Sequence, residues 1–256
     1  MVTAIIQARM SSTRLPGKVL KTVKGRPLLS YQVERIRRAR LLEQIVVATT
    51  ASAHDGALAR FCEEEKLNYF RGSEKDVLAR FYQAAKRFKA NVIVRLTADS
   101  PLIDPLLIDE AVNFYKNNTD LYDYVANTAP PPSTFPDGMD VEVFSFSVLE
   151  RAFLEAKLPS EREHVTFYLW KTAKFRTYQI KHSRDYSHYR FTVDYPQDFE
   201  VVSEIFEQLY PKNNFFTMED AVGFVNTRRY LLEKQKGIER NSGWKKSLEK
   251  DKEFTR

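Results

Sequence analysis

The side chains best suited to chemistry stand in residues 7–18, directly after an apolar run of strand length. Arg9, Arg14 and Lys18 bring positive charge to this segment, with small hydroxyl residues between them. Arginine can hold two phosphate oxygens at once, lysine adds a point charge, and small residues let backbone N–H groups approach a phosphate. The glycines of a Walker loop or a dinucleotide-binding loop are missing, so neither class fits. The segment predicts a triphosphate-binding loop; a basic surface loop with a turn at residues 16–17 is the alternative.

Asp99 is the next candidate, within the motif of residues 95–102. It follows a strand-like run that begins near Val92, and a proline turn comes after it. Ligands of an open α/β sheet bind outside the carboxyl ends of the strands, so this carboxylate is expected to face the same crevice as the loop. Mg²⁺ takes one or two protein carboxylates and completes its coordination with phosphates and water. Asp99 is therefore the first candidate ligand of Mg²⁺; an ordinary Asp-X-Pro turn is the alternative.

Two further clusters could hold a second, acceptor substrate. Asp140 and Glu142 stand two residues apart in a predicted strand, which places both on one side of it. Two carboxylates that face one way suit the recognition of hydroxyl or amine groups, and an exposed strand face is the alternative. Arg162 opens a predicted helix and could neutralise an acceptor carboxylate or phosphate. His164 beside it is either a catalytic base or, as is more common near a helix start, a structural residue.

These side chains need a sheet that brings distant strand ends together. Apolar runs of strand length alternate with helix-period segments through the first half of the chain, which is typical of βαβ units. The predicted strands of this half are residues 3–7, 44–49, 68–71 and 92–96. The predicted helices are residues 27–39, 54–65, 74–88 and 105–117. The pattern predicts an α/β fold with a Rossmann-like, mostly parallel sheet flanked by helices.

The second half of the chain changes character. After a proline-rich loop, residues 139–146, 176–181 and 189–193 read as strands, and residues 148–156 and 163–173 read as helices. We interpret residues 130–190, approximately, as a small inserted strand and helix section that carries acceptor contacts within one domain, residues 1–235. Residues 196–209 and 217–234 are predicted to close that domain as helices. Residues 236–256 form a polar basic tail, which we expect to be frayed or, alternatively, to be a weak docking segment.

Charge and cysteine content limit the class of protein. The net charge is +6, but residues 228–256 alone hold ten basic residues against five acidic ones, so the excess belongs to the tail and nucleic acid is not an expected partner. Residues 9–40 hold ten basic residues against one acidic residue, a local field suited to a polyphosphate. Cys62 is the single cysteine, so neither a disulfide framework nor a cysteine metal cluster can form. With no apolar run near the roughly 18 residues of a membrane span, a cytoplasmic protein is expected.

A family resemblance rests on the stretch IIQARMSSTRLPGK, residues 5–18. It resembles the cytidylyltransferases that make CMP-linked 2-keto-3-deoxy sugar acids, the KDO and sialic acid synthetases, and among them the homologues of spore-coat polysaccharide synthesis protein F. The resemblance follows the order of elements over residues 1–225 and is tight at three short motifs. It implies the nucleotide-diphospho-sugar transferase fold and a homodimer formed through the insertion. It also implies that the nucleotide is bound by Gln7, Ala8, Arg9, Ser12, Arg14 and Lys18.

The resemblance implies further roles for single residues. Lys18 would stabilise the charge that develops at the α-phosphate, and Arg14 and Asp99 would act with it in catalysis. Asp194, in RFTVDYPQDF, matches the second metal carboxylate of the family, so that Mg²⁺ would lie between Asp99 and Asp194. Thr97 stands where the KDO enzymes carry a glutamine that helps to read the base, which leaves the choice between CTP and another nucleotide open.

The implied function is the transfer of CMP from CTP to a sugar acid or a sugar-phosphate-like acceptor, with release of pyrophosphate, in surface polysaccharide biosynthesis. A nucleotide-sugar-dependent glycosyltransferase of related fold is the alternative, although its usual Asp-X-Asp is absent, because Ser100 and Pro101 follow Asp99. A third hypothesis is a nucleotide-binding or docking module without catalysis, which would use the basic tail.

Overall fold

The computed structural model describes residues 1–254, which form a seven-stranded central sheet and a separate two-stranded hairpin. The strands are β1 (Val2–Gln7), β2 (Thr22–Val23), β3 (Arg26–Pro27), β4 (Gln44–Thr50), β5 (Asn68–Gly72), β6 (Val92–Thr97), β7 (Tyr124–Ala126), β8 (Glu142–Ser145) and β9 (Thr177–Gln179). Four of the six residues of β1 are apolar and five are buried, as expected of a parallel strand that is covered on both faces. The predicted α/β fold is confirmed.

The order of strands in the central sheet fixes where a ligand can bind. The order is β5-β4-β1-β6-β8-β7-β9. β5, β4, β1 and β6 are parallel, β8 is antiparallel to both of its neighbours, and β7 and β9 therefore point the same way as β1. The chain moves outward from β1 to β5 and then returns to β6 on the other side of β1. Ligands of such sheets bind where the order reverses, which is at the carboxyl ends of β1 and β6.

Helices cover both faces of the sheet in the described part of the chain. They are α1 (Leu28–Ile36), α2 (Gly56–Glu64), α3 (Val77–Arg87), α4 (Pro105–Asn117), α5 (Phe146–Glu155), α6 (Pro159–Glu163), α7 (Phe167–Lys171), α8 (Pro196–Leu209), α9 (Met218–Asn226), α10 (Arg229–Lys234) and α11 (Ser242–Phe254). One apolar cluster packs α1, α2, α4, α8 and α9 on one face, and another packs α3, α5 and α7 on the opposite face. Successive residues of β1 serve the two clusters, because Ile6 belongs to the first and Ile5 to the second. No helix among residues 1–254 is long and apolar enough to cross a membrane.

Aspartates set the starts of two helices that border the ligand edge. Asp76 accepts a hydrogen bond from the backbone N–H of Ala79 at 2.9 Å, and Asp104 accepts one from Leu106 at 2.9 Å. Such caps satisfy backbone donors that the first turn of a helix leaves without a partner. Pro105 occupies the first turn of α4, where its missing N–H costs nothing.

Several boundaries in the second half differ from the sequence prediction. Residues 189–193 are not a strand, because only Arg190 makes an isolated bridge, to Asp137. The predicted helix of residues 163–173 is broken, since Val165 adopts a left-handed φ of 55° between α6 and α7. The predicted helix of residues 217–234 is two helices, α9 and α10. Hydrophobic periodicity continues across these breaks, which is why the sequence alone merged them.

The tail is ordered, and our expectation of fraying is wrong for its described part. Residues 242–254 form α11, which packs against α6. Asp251 accepts hydrogen bonds from the backbone N–H of Ser160 at 2.8 Å and from its hydroxyl at 2.6 Å. The polar tail thus supplies the partner for the start of α6, and the docking interpretation fits these contacts. The last two residues, 255–256, lie outside the described residues.

Candidate active site

The loop of residues 7–18 leaves β1 at the ligand edge of the sheet. Gln7 ends β1 opposite Thr97, the last residue of β6. The loop closes on itself, because the backbone N–H of Gly17 donates to the carbonyl of Met10 at 3.0 Å. Gly17 has a φ of 68°, in the left-handed region that glycine adopts with little strain. The loop is therefore a closed turn at the point where the strand order reverses.

Lys18 is mostly buried at the end of this loop and joins two aspartates from distant parts of the chain. Its Nζ lies 2.9 Å from Asp99 Oδ2 and 2.7 Å from Asp194 Oδ1. Burial lowers the pKa of Lys18, but the two carboxylates outweigh burial and raise that pKa above its ordinary value. Lys18 is consequently a firmly charged cation at neutral pH. The structure brings three of the predicted site residues into direct contact.

Asp194 is the carboxylate that the most cations surround. Its Oδ2 lies 2.9 Å from Arg14 Nη2 and 3.2 Å from Arg190 Nη2. Burial raises the pKa of Asp194, but Lys18, Arg14 and Arg190 outweigh burial and lower it to about 2. Asp194 therefore stays ionised across the physiological range. Arg14 is held from its other side by Tyr195, whose ring centroid lies 4.6 Å from the guanidinium carbon.

Arg190 positions this cluster, and our sequence analysis gave it no role. Its guanidinium makes two hydrogen bonds to Asp198, at 2.9 and 3.1 Å, and also pairs with Asp137. Asp198 in turn accepts from the backbone N–H of Asp194 at 2.9 Å and from that of Tyr195 at 3.0 Å. Asp198 thus has the helix-start role that its place in α8 favours. Arg190 is the first residue of the motif RFTVDYPQDF that contains Asp194. Its pairing with Asp137, 53 residues away, leaves no signal in the sequence.

Gly138 permits the contact between Asp137 and Arg190. It has a φ of 96°, and a Cβ added there would lie 2.3 Å from the backbone nitrogen of Thr192. No side chain fits in that space, so the two segments pack backbone to backbone. Only glycine at this position lets residue 137 come close enough to pair with residue 190.

Other predicted nucleotide contacts lie on the loop itself. Ala8 is buried, and its backbone N–H donates to the carbonyl of Ala48 at 3.2 Å. Ser12 Oγ accepts from the backbone N–H of Leu15 at 3.4 Å, a contact that shapes the turn. Arg9 is exposed. The loop therefore offers a hydrogen-bonded backbone and an exposed cation, and the assignment of these residues to the nucleotide stays a prediction.

Gln7 and Thr97 lie at the two strand ends that flank the crevice. Thr97 Oγ1 is 3.2 Å from Ser100 Oγ, and the Thr97 carbonyl accepts from Gln32 Nε2 at 2.7 Å. Gln7 Oε1 accepts from Arg95 Nη2 at 3.3 Å. Both side chains are half-buried, so each is held by protein contacts while it keeps access to the crevice.

Comparison with known proteins decides the family. The sequence model of the cytidylyltransferases matches residues 3–235 of the chain. The chain belongs to the cytidylyltransferase family. This confirms the resemblance that we inferred from residues 5–18.

Relatives and solved structures agree with this cytidylyltransferase assignment. The spore coat polysaccharide biosynthesis protein SpsF of Bacillus subtilis is 32% identical over 212 residues, which cover 80% of this chain and 85% of SpsF. The structure of a cytidylyltransferase from Leptospira borgpetersenii is 32% identical, with a TM-score of 0.86 over 93% of this chain and 99% of that one. A structure of CMP:2-keto-3-deoxy-manno-octonic acid synthetase complexed with CTP is 19% identical and shares the fold, with a TM-score of 0.59 over 81% and 99% of the two chains.

Glu142 and Asp140 were predicted to contact the acceptor of this cytidylyltransferase. Glu142 Oε2 lies 2.9 Å from Arg95 Nη1, and the two side chains are only 7% and 12% exposed. Burial raises the pKa of Glu142, although Arg95 opposes that rise. Asp140 lies before the start of β8 and accepts from the backbone N–H of Gly138 at 3.1 Å. Glu142 is thus committed to a buried ion pair, whereas Asp140 is half-exposed and better placed for a ligand.

Arg162 and His164, the other predicted acceptor contacts, also have structural partners. Arg162 Nε is 3.1 Å from both carboxylate oxygens of Asp76, and its Nη1 donates to the carbonyl of Phe153 at 2.8 Å. His164 Nε2 lies 2.9 Å from Ser247 Oγ on α11. Burial lowers the pKa of His164 to about 4, so it is neutral at pH 7 and a weak base. Their roles toward an acceptor stay predictions.

Proposed function

We propose that this cytidylyltransferase transfers CMP from CTP to a sugar acid or a sugar-phosphate-like acceptor and releases pyrophosphate, in the biosynthesis of a surface polysaccharide. The observation that carries the proposal is the contact of Lys18 with Asp99 and Asp194 at the ligand edge of the sheet. One cation and two carboxylates at this point suit a nucleotide triphosphate and its counter-ion. The similarity to SpsF supports the polysaccharide context.

In this proposal, loop 7–18 binds the triphosphate through its backbone and its cations. Arg14 and Lys18 exchange their present carboxylate partners for phosphate oxygens when the nucleotide binds. The acceptor oxygen forms a bond to the α-phosphorus, the bond from that phosphorus to the bridging oxygen breaks, and pyrophosphate leaves with the bonding electron pair. Lys18 stabilises the negative charge that accumulates on the α-phosphate, which is usually the largest contribution to such a transfer. A phosphate oxygen of the acceptor carries no proton and needs no general base, whereas the attacking hydroxyl of a sugar acid releases its proton to water as the bond to phosphorus forms.

The residues present fit a bound Mg²⁺. Asp99 and Asp194 both direct an oxygen at one point, the Nζ of Lys18, and two carboxylates around one point form a donor set that Mg²⁺ accepts. Among the described residues no group of three or more His, Cys, Asp or Glu could hold a metal, so phosphates and water would complete the coordination. Mg²⁺ bound there would neutralise phosphate charge and polarise the phosphoryl group. Lys18 keeps the two carboxylates together until nucleotide and metal arrive.

CTP is the nucleotide that we favour. The fold neighbour with CTP bound supports a cytidine base, and the half-buried Thr97 lies at the end of β6, where a base could approach. A threonine hydroxyl can donate and accept hydrogen bonds, which suits the carbonyl and amino groups of cytosine. The discrimination between CTP and UTP is then expected to depend on Thr97.

The test is pyrophosphate release from each of the four nucleoside triphosphates with Mg²⁺ and a panel of sugar acids and sugar phosphates. We expect release with CTP only when an acceptor is present. Turnover of a UDP-sugar without pyrophosphate release would replace the proposal with glycosyl transfer. Binding of CTP without any turnover across the panel would favour a nucleotide-binding module instead.

A further inference from the structure

The tail segment, residues 237–254, lies beyond the residues that the family model matches and yet reaches the candidate active site. Ser242 Oγ accepts a hydrogen bond from Arg14 Nη1 at 2.9 Å, so the first residue of α11 contacts a predicted catalytic cation. Arg240, two residues earlier, donates from Nη1 to the carbonyl of Phe135 at 3.0 Å. The tail segment therefore lies outside the residues that the family model matches and borders the site.

Aromatic packing fixes the tail segment in this position. The Trp244 ring centroid lies 4.9 Å from that of Phe167, 5.7 Å from that of Trp170 and 6.3 Å from that of His164. Trp244 is half-buried, and Ser247 one turn later is buried. Aromatic pairs at these separations stabilise a contact beyond the area that they bury. Arg240 is thus held at a defined place.

A cavity of about 290 Å³ opens beside Arg240. Its polar lining comprises Thr128, Ser133, Ser187 and Asn241, with hydroxyl and amide groups, and Arg240 itself. Arg240 is the charged residue among the described residues that line it, so the cavity is electropositive. A volume of this size accommodates part of a small sugar derivative, such as its anionic group. We call it the tail cavity.

The charge of Arg240 is only weakly neutralised by the protein. Its nearest carboxylate is that of Asp137, whose Oδ1 lies 3.8 Å from Arg240 Nε, and Asp137 pairs more closely with Arg190. Its Nη2 is buried and has no hydrogen-bond partner among the described residues, although a quarter of the side chain is exposed. The cavity is therefore met by the exposed quarter of the side chain, whose positive charge is left for an anionic ligand because Asp137 is shared with Arg190.

The topology places the tail cavity on the same edge of the sheet as the phosphate loop. Thr128 follows β7 by two residues, and β7 points the same way as β1 and β6. The loop leaves β1, whereas the cavity lies beyond β7, three strands along the sheet. Two ion pairs of Arg190, to Asp137 and to Asp194, connect the two places. A ligand in the cavity would lie on the acceptor side of the triphosphate.

We propose that the tail cavity binds the anionic group of the acceptor, a carboxylate or a phosphate, and that Arg240 of the tail segment is the residue that recognises it. The identification of the ligand as the acceptor rests on the proposed function, but binding of an anion in the cavity can be tested without turnover. It assigns the tail segment a share in substrate selection.

The test is calorimetric titration, without CTP, of the wild-type full chain and of the Arg240→Gln and Arg240→Lys variants. Arg229→Ala is the matched control, because it removes an exposed arginine from the neighbouring helix α10. The probes are 2-keto-3-deoxy-manno-octonate, which carries a carboxylate, and mannose 1-phosphate, which carries a phosphate. We expect one probe to bind the wild type and the control, Arg240→Gln to weaken it about tenfold or more, and Arg240→Lys to restore part of the affinity.

The probe that binds identifies the anion, carboxylate or phosphate. Binding of neither probe to the wild type, or equal affinity in Arg240→Gln, would overturn the proposal even if pyrophosphate release succeeds. The two tryptophans, Trp170 and Trp244, are in contact, so their emission reports whether the tail stays docked. If Arg240→Gln emits like a chain truncated after Lys236, then Arg240 only holds the tail, and the proposal fails.

Discussion

Two regions meet at the ligand edge of this cytidylyltransferase, and they are held by different forces. The nucleotide region, formed by loop 7–18 with Asp99 and Asp194, lies within the matched residues 3–235 and is held by ion pairs. The tail segment, residues 237–254, lies beyond those residues and is held by aromatic packing and by the cap from Asp251. Ion pairs organise the first region, whereas aromatic packing together with the hydrogen bonds of Asp251 holds the second.

This difference has a consequence for binding. The ion pairs of Lys18 use the same groups that a triphosphate and a metal would use, so they must exchange when ligands bind. The packing of Trp244 involves no group assigned to the triphosphate or to the metal, so it can persist while the nucleotide binds. The side chains of the nucleotide region are therefore expected to change partners when ligands bind, while the tail segment keeps its position.

The largest loss of stability is expected at a buried ion pair between neighbouring strands. Arg95 on β6 pairs there with Glu142 on β8. Replacing Glu142 with alanine leaves the guanidinium of Arg95 buried without a carboxylate, and we expect a loss of about 3–5 kcal/mol in the free energy of unfolding. Urea denaturation measures this loss. Asp140→Ala is the control, since the half-exposed Asp140 should cost about 1 kcal/mol or less. If Glu142→Ala kept normal stability but lost acceptor binding, the ion pair would not be its main role, and Glu142 would be an acceptor contact as the sequence predicts.

A second prediction concerns the nucleotide region alone. Lys18→Ala should lower kcat by about two or more powers of ten, because it removes a charge that stabilises the α-phosphate. The measurement is pyrophosphate release at saturating CTP and acceptor. Lys21→Ala removes the same charge three residues later, where the side chain lies over the ring of Phe199 at 5.4 Å, and it should keep kcat within a few-fold. A near-normal kcat in Lys18→Ala would contradict the role assigned to this lysine.

Sequence reasoning found the nucleotide region because its signals are local. Residues 7–18 concentrate charge after β1 and Asp99 follows β6, so strand topology alone brings these two together. Asp194 was assigned through the family resemblance, because residues 189–193 form no strand that would point it there. The pairing of Arg190 with Asp137 was missed, because it depends on a backbone contact at Gly138 between segments distant in sequence. The cytoplasmic location, the homodimer and the domain end at residue 235 stay predictions.

The tail segment was misjudged for a different reason. Its apolar residues, such as Trp244 and Leu248, are isolated among charges, and a helix of this composition has little stability alone. Its order comes from a docking surface on α6 and α7 that includes Phe167 and Trp170. Such a surface is assembled only in the folded chain, so no pattern within residues 236–256 could reveal it.

A third prediction tests whether Trp244 holds the tail segment independently of the nucleotide region. Trp244→Ala should undock the tail segment at a cost of about 1–2 kcal/mol, less than for a fully buried tryptophan because Trp244 is half-buried. Limited proteolysis within residues 237–254 should become about tenfold faster, since about 1.4 kcal/mol is a factor of ten in the docking equilibrium. Trp244→Phe keeps an aromatic ring and should lie between. Affinity for CTP should change little; a loss as large as that for the acceptor would mean that the two regions are not separable.

The smallest predicted effect uses His164, which joins the body of the protein to the tail through Ser247. Burial lowers the pKa of His164 to about 4, whereas in the unfolded chain it has its ordinary value of 6.5. Between these values the unfolded chain binds more protons, so the free energy of unfolding falls as pH falls from 6.5 toward 4. We expect His164 to account for about 1 kcal/mol of loss between pH 7 and 5, after allowance for its partial exposure.

His164→Gln cannot titrate, so the difference between its unfolding curves and those of the wild type isolates this contribution from that of Glu163 and the other acidic groups nearby. The wild type should lose stability faster than the variant on acidification, and Trp244 emission should report undocking over the same pH range. Identical pH profiles would mean that His164 is more exposed in solution than its contact with Ser247 implies. The contacts of Trp244 and Asp251 would then hold the docked tail without a contribution from the neutral imidazole. The docking of the tail segment would in that case not depend on pH through His164.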